Sequence, residues 1–179
     1  LFNSLYLNFE NADWIFNKEK IGEQNLSSIA SYVSDKVFNL TPIIHNELVV
    51  RDRISSMSMN GSVNLLKLIF NNSHQKNLGL SGHPSEYGIY LSLIKSNFLH
   101  IKNGDDYEFS LNKTKNTSIK IIYEEFLRFI KSSKEAISVN EIYDHFTKQP
   151  YGIKLGLLPL LVGLFFKANE SSCALYTKD

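Results

Sequence analysis

Residues Gln149–Lys167, QPYGIKLGLLPLLVGLFFK, are the most apolar part of the chain, and their reading decides the fold. A membrane-spanning helix needs about 20 mostly apolar residues. Here Lys154 and Lys167 enclose only Leu155 to Phe166, and Pro159 lies inside that run. Leu, Gly, Val and Phe fill both faces, with Lys154 the one cation between Tyr151 and Phe166. A helix apolar nearly all round is buried on more than one side. The expectation is a core helix opened by Pro150, kinked or divided at Pro159, and also packed on a neighbouring domain. Gly156 and Gly163 are placed for close helix contact.

Working outward, 179 residues suffice for one domain or two small ones. The composition, 43% hydrophobic and 12% aromatic, supports a packed core. With 19 basic and 18 acidic residues the formal net charge is +1, so no global field favours nucleic acid, an anionic membrane or acidic ligands. Binding to any of these requires a local patch. The single Cys173 excludes an intrachain disulfide framework and fits a reducing, cytoplasmic compartment. The chain opens LFNSLYLNFENADW, with neither an initiating Met nor a basic n-region. Together with the final CALYTKD, which stops in a strand-like pattern, this suggests a segment of a longer protein. Heavy use of Asn, Lys, Ile and Ser resembles that of AT-rich bacterial genomes.

The pattern along the chain is mostly helical. After an N-terminal extension over 1–24, residues 25–37 place Ile29, Tyr32, Val33 and Val37 on one face. The stretch IIHNELVVRDRIS predicts a helix opened by Pro42, with a break at Asn60–Gly61 and a further helix to Asn71. NNSHQKNLGLSG is a turn-rich connection. From Pro84 a helix runs to about Asn97, with Tyr87, Tyr90, Leu91, Ile94 and Phe98 inward, and HIKNGDDYEFSL reads as a hairpin. After the polar linker NKTKNTS, Ser118 is placed to cap a helix with Ile119, Ile122, Phe126 and Phe129 or Ile130 on one stripe. AISV reads as a short strand, Ser138 and Glu141 have capping-box spacing ahead of a helix over 139–149, and ANESSCALYTK reads as a closing hairpin.

Setting Pro84 over Pro150, an offset of 66 residues, aligns Leu91 with Leu157, Ile94 with Leu160, Leu99 with Phe165, Asn103 with Asn169 and Phe109 with Leu175. The order helix, short strand, helix, helix, hairpin describes a winged helix. The expected fold class is therefore mainly α with small β-hairpins, as two winged-helix-like units in tandem over 25–112 and 113–179.

Site chemistry is sparse. No glycine-rich phosphate loop is present, and His45, His74, His83, His100 and His145 are scattered without metal-ligand spacing. His45 and Glu47, two apart on a predicted helix, face different directions. Asp105, Asp106 and Glu108 sit in ordinary turn chemistry, Tyr123 beside Glu124 and Glu125, and Tyr143 beside Asp144, read as buried faces next to wet ones, and Cys173 has no neighbouring group placed to activate it as a nucleophile. The reading is accordingly no enzyme site, no cofactor, no metal and no small-molecule substrate in this segment. Candidate protein-interface residues are Tyr151, Ile153, Leu157, Leu161 and Phe165. Candidate nucleic-acid contacts are Arg51, Arg53, Lys95, Lys113 and Lys115, because phosphate binding rests on Lys and Arg.

Three stretches carry a family resemblance: HNELVVRDRIS at 45–55, LGLSGHPSEYGIYLSLIKSNFLH at 78–100 and QPYGIKLGLLPLLVGLFFKANESSCALY at 149–176. In order, over about Ser27 to the C-terminus, they resemble internal segments of large multidomain bacterial P-loop ATPases of phage-defence clusters, including those of BREX-type systems. The most telling motif is PYG followed by a charged residue, a glycine and an apolar helix. Ser85 departs from an expected second proline, and Leu155 from a more polar residue. The resemblance implies a helical, winged-helix-like region beyond the ATPase domain, carrying no catalytic residue and contacting other domains or partner proteins. The alternative class is a tandem winged-helix module that binds nucleic acid in the manner of a regulator.

Overall fold

The computed structural model describes residues 13–22 and 25–176. The chain is mainly helical, with six helices and two small antiparallel two-stranded sheets among the described residues. The described residues divide into two compact units, one up to Asn39 and one from Leu40 onward. The first holds a short hairpin, β1 (Ile15–Phe16) and β2 (Glu19–Lys20), and α1 (Leu26–Val37). The Asn25 side chain accepts from Ser28 N–H and satisfies one orphan donor of α1. On the predicted face Ile29 is buried, and Tyr32, Val33 and Val37 are half-buried.

The second unit contains α2 (Ser56–Asn71), α3 (Ser85–Ile89) continued by a π-helical turn (Tyr90–Lys95), the hairpin β3 (His100–Asn103) and β4 (Asp106–Phe109), then α4 (Thr117–Ser132), α5 (Val139–Thr147) and α6 (Leu158–Ala168). The hairpin pairs His100 with Phe109 and Asn103 with Asp106 around Gly104, whose φ of 63° suits the first position of a two-residue turn. One continuous apolar core runs from Ile44 to Phe166. It crosses the expected boundary at 112/113, so residues on both sides share a single interior.

At its centre lies α6, where Leu158, Leu160, Leu161, Val162, Leu164, Phe165 and Phe166 are all buried. Phe165 packs 4.8 Å from Phe126 of α4, and Gly163 abuts Leu66 of α2. Each such side chain stabilises the fold by about 1.5–3 kcal/mol relative to exposure. The run is thus covered by its own chain, and the expected packing on a neighbouring domain is not needed to bury it.

Several expected boundaries move. Pro150 does not open a helix: it follows a cis peptide bond, and Tyr151 and Gly152 turn back onto the Lys148 carbonyl, Gly152 at φ 56°. The helix begins instead at Leu158 with Pro159 in its first turn, where a missing N–H costs nothing, so Pro159 starts α6 rather than kinking it. Residues 42–55 likewise form no helix. Asn46 Oδ1 captures Leu48 N–H at 2.8 Å, a local bond that competes with helix. The flanking backbone is committed to the Tyr151 loop: Leu40 N–H donates to Pro150 O, the Thr41 hydroxyl to Tyr151 O at 2.5 Å, and Gly156 N–H to Arg51 O at 2.9 Å.

Helix α2 continues through Asn60–Gly61 without the expected break. Gly61 is buried where α2 meets the start of α3, and a Cβ there would stand 2.7 Å from Ser85 Oγ. The N-cap of α4 is Asn116 rather than Ser118, because Asn116 Oδ1 accepts from both Ile119 N–H and the Ser118 hydroxyl. The Ser138–Glu141 capping box forms as expected. AISV is not a strand, and no strand forms over 168–176; the last residues of the expected closing hairpin lie outside the described ones.

Candidate functional site

The five apolar candidates, Tyr151, Ile153, Leu157, Leu161 and Phe165, are 0–6% exposed and belong to the core. None offers a free surface. A sequence pattern identifies an apolar face without saying which element covers it, and here α2, α4 and the loop at 49–54 do so. Exposed apolar groups lie instead along α2: Met59, Val63 and Phe70, 54%, 45% and 41% exposed, follow helical spacing with half-buried Leu66 among them.

The basic candidates separate into two groups. Arg51 and Arg53 are exposed beside the Tyr151 loop, with Arg51 paired to Glu47 at 3.2 Å and the intervening Asp52 paired to Lys154 at 2.9 Å. Carboxylates thus answer much of that charge, and the Lys154 ammonium holds the Asp52 carboxyl below its ordinary range. Lys95 ends the π-helical turn, Lys115 stands over Phe98 just beyond it, and Lys113 reaches Glu108 on β4.

The end of α3 is organised by the π-helical turn. Ser96 N–H reaches back to Leu91 O and Leu99 N–H to Ile94 O, each spanning five residues. The added residue per turn rotates the inward set: Leu93 and Leu99 are buried, whereas Leu91 and Phe98, expected inward, are 38% and 47% exposed. Phe98 has φ 55°, at a helix end where Gly is usual. Left-handed backbone at a bulky residue costs on the order of 1–3 kcal/mol and persists only where its surroundings enforce it. Enforcement comes from Phe98 N–H bonded to Lys95 O and from the Thr114 hydroxyl bonded to Asn97 O at 2.7 Å.

The second bond pulls the linker at 114–116 over the helix end. The Asn116 amide donates to Asn97 Oδ1 at 2.8 Å, and the Lys115 ammonium stands 4.7 Å from the Phe98 ring centre, within cation–π range. Lys113 pairs loosely with Glu108 at 3.8 Å. Ser96, Asn97 and Asn116, next to Phe98 and Lys115 in the chain, also wall a groove of about 790 Å³ with Ile43, His45 and Ser92.

Two buried polar clusters escape sequence reading. The first is Tyr90–His100–Ser73. Because a carbonyl only accepts, His100 Nε2–H donates to Ser73 O at 2.7 Å and Nδ1 accepts the Tyr90 hydroxyl at 3.0 Å. Burial holds the imidazole below its ordinary pKa and pushes the Tyr90 phenol up to about 12. The second is Glu125, expected on a wet face but buried, where it accepts from Arg128 and from His145 Nε2 at 2.9 Å. Burial and the Arg128 guanidinium hold His145 below its ordinary pKa, with its ring stacked 4.3 Å from Phe129. Glu125 and His145 lie twenty residues apart on different helices, beyond any local spacing rule. For the Phe98 site the local signal was slight, Lys95 three residues before the aromatic with Lys115 beyond the hairpin, and the uniform helical period placed Phe98 inward.

His45 and Glu47 stand exposed in a loop, with no shared geometry for acid–base work. Among the described residues, no three His, Cys, Asp or Glu side chains converge to hold a metal, and no helix is long and apolar enough to cross a membrane. Compared with known proteins, the chain matches no family model, no curated protein and no solved structure.

Proposed function

We propose that this chain is a non-catalytic structural and interaction module of a larger bacterial ATPase of the phage-defence kind, working in the cytoplasm and passing nucleotide-dependent movement to neighbouring domains. In this reading α2, α3 and the β3–β4 hairpin correspond to one winged-helix-like unit, and α4, α5 and α6 to the helical part of a second. The observation that carries it is the exposed row Met59, Val63 and Phe70 on a helix that otherwise contributes Leu65 and Ile69 to the core. Contact surfaces concentrate apolar and aromatic groups at their centre, and the row has the helical spacing that a neighbouring domain grips.

Two of the stretches that carry the resemblance, at 45–55 and 149–176, meet through the Gly156–Arg51 and Lys154–Asp52 bonds, which supports reading them as one structural unit. The test uses the full-length protein with a photo-crosslinking residue at Val63 or Phe70. Crosslinks to a separate domain or a partner protein, changing in yield between nucleotide-free and ATP-bound states, are expected. Crosslinks confined to residues 40–176, or ATP turnover by the isolated chain, overturn the reading.

A further inference from the structure

Phe98 is held in left-handed backbone with its ring 47% exposed, at the junction where α3, the hairpin and the 110–116 linker meet. Among the described residues Lys95 and Lys115 have no carboxylate partner, whereas Lys113 is shared with Glu108. Lys115 stands over the exposed Phe98 ring, Lys95 lies three residues before it, and Ser96, Asn97 and Asn116, chain neighbours of Phe98 and Lys115, line a groove together with Ser92. No global charge would draw a polyanion here, so any such affinity must arise locally.

We propose that Phe98, Lys95 and Lys115 form a contact site for single-stranded nucleic acid. The ring stacks one unpaired base, the two ammonium groups meet the flanking phosphates, and the strand runs along the groove past Ser96 and Asn116. Stacking platforms combined with cations are the means by which proteins hold single strands with little sequence preference. A duplex keeps its base faces covered and leaves Phe98 without a partner. Lys115, on a flexible stem, lies over the ring in the free protein and swings to a phosphate when a base takes its place. Lys113 contributes less because Glu108 already answers part of its charge.

This inference is independent of the interaction-module reading, which rests on α2. It is tested by fluorescence anisotropy on the folded chain, using labelled oligothymidylate, oligouridylate and a duplex of equal length at low and physiological salt. Binding of a single strand of either sugar ahead of the duplex is expected. Phe98→Ala should weaken it about five-fold or more while Phe98→Trp retains it. Lys115→Ala and Lys95→Ala should each reduce the slope of log affinity against log salt by about 0.7. Circular dichroism confirms that each variant keeps the parent fold. Absence of single-strand binding at low salt, equal binding of the duplex, or an unchanged affinity in Phe98→Ala overturns the proposal.

Discussion

The stretches from Pro84 to Phe109 and from Pro150 to Leu175 match at their prolines and at five further positions when offset by 66 residues, yet they fold into different things. The first enters helix at once, passes through a π turn and closes with a paired hairpin. The second spends eight residues, 150–157, in turns and loop before α6 begins, and ends without a strand up to Tyr176. Their burial differs as well: Leu91 is 38% exposed and its counterpart Leu157 only 2%, while Phe109 pairs in a sheet and Leu175 lies exposed. A shared apolar period specifies a helix with an inward face. It does not specify where the chain enters that helix, or how many faces its neighbours cover.

The strongest way to break this comparison is to truncate the aligned pair. Leu157→Ala opens a cavity in the core and should cost about 2–5 kcal/mol, whereas Leu91→Ala should stay within about 0.5 kcal/mol; urea unfolding of the two variants measures both. Similar losses would mean that the two stretches are equally central after all.

Glycines sharpen it next. A Cβ at Gly156 would lie 2.5 Å from Val49 O and 2.7 Å from Arg51 O, backbone atoms that cannot step aside, whereas a Cβ at Gly88 meets nothing within 4 Å. Gly156→Ala should therefore destabilise by about 1–3 kcal/mol, and Gly88→Ala, inside α3, should stabilise by about 0.5–1 kcal/mol. Thermal melts of the two variants should move in opposite directions.

The smallest expected effect concerns pH, and it belongs to the Pro84–Phe109 region. The folded state holds His100 below its ordinary pKa because burial disfavours the imidazolium, so the unfolded chain binds the proton more tightly. Stability from this group is complete above the unfolded value of about 6.5 and declines as pH falls through that value toward the folded one. Stability measured from pH 7.5 to 5 should fall for the parent protein, and the decline should be smaller in His100→Gln. His145, also held below its ordinary value, adds a decline of the same sign, which His100→Gln leaves in place.

Legibility in the sequence followed the range of the interaction. The Ser138–Glu141 capping box, the Asn103–Asp106 turn and the amphipathic stripe of Ile119, Ile122 and Phe126 were readable because each involves residues within a turn or two of one another. The helix from Pro42, the opening at Pro150 and the inward placing of Phe98 were misread, each for a non-local or non-standard reason. The 42–55 segment gives its backbone to the Tyr151 loop, and the π turn shifts the period by one residue. Of the ten candidate contact residues, Lys95 ends the π turn, Lys115 covers Phe98 just beyond it, Lys113 pairs with Glu108, Arg51 and Arg53 lie in the 49–54 loop, and the five apolar ones form core.

By itself the sequence determined that this is a mainly helical chain with a buried apolar helix near its C-terminus, because hydrophobic period, caps and turn residues act over a few positions. Only the tertiary structure decided that α6 is enclosed by its own chain and that Phe98 turns outward beneath Lys115. Those outcomes depend on which distant segments meet: Arg51 with Gly156, Asn97 with Thr114 and Asn116, Glu125 with His145. Contacts of that separation leave no periodic mark on the chain, since their partners are chosen by packing of the whole unit rather than by neighbours along the backbone.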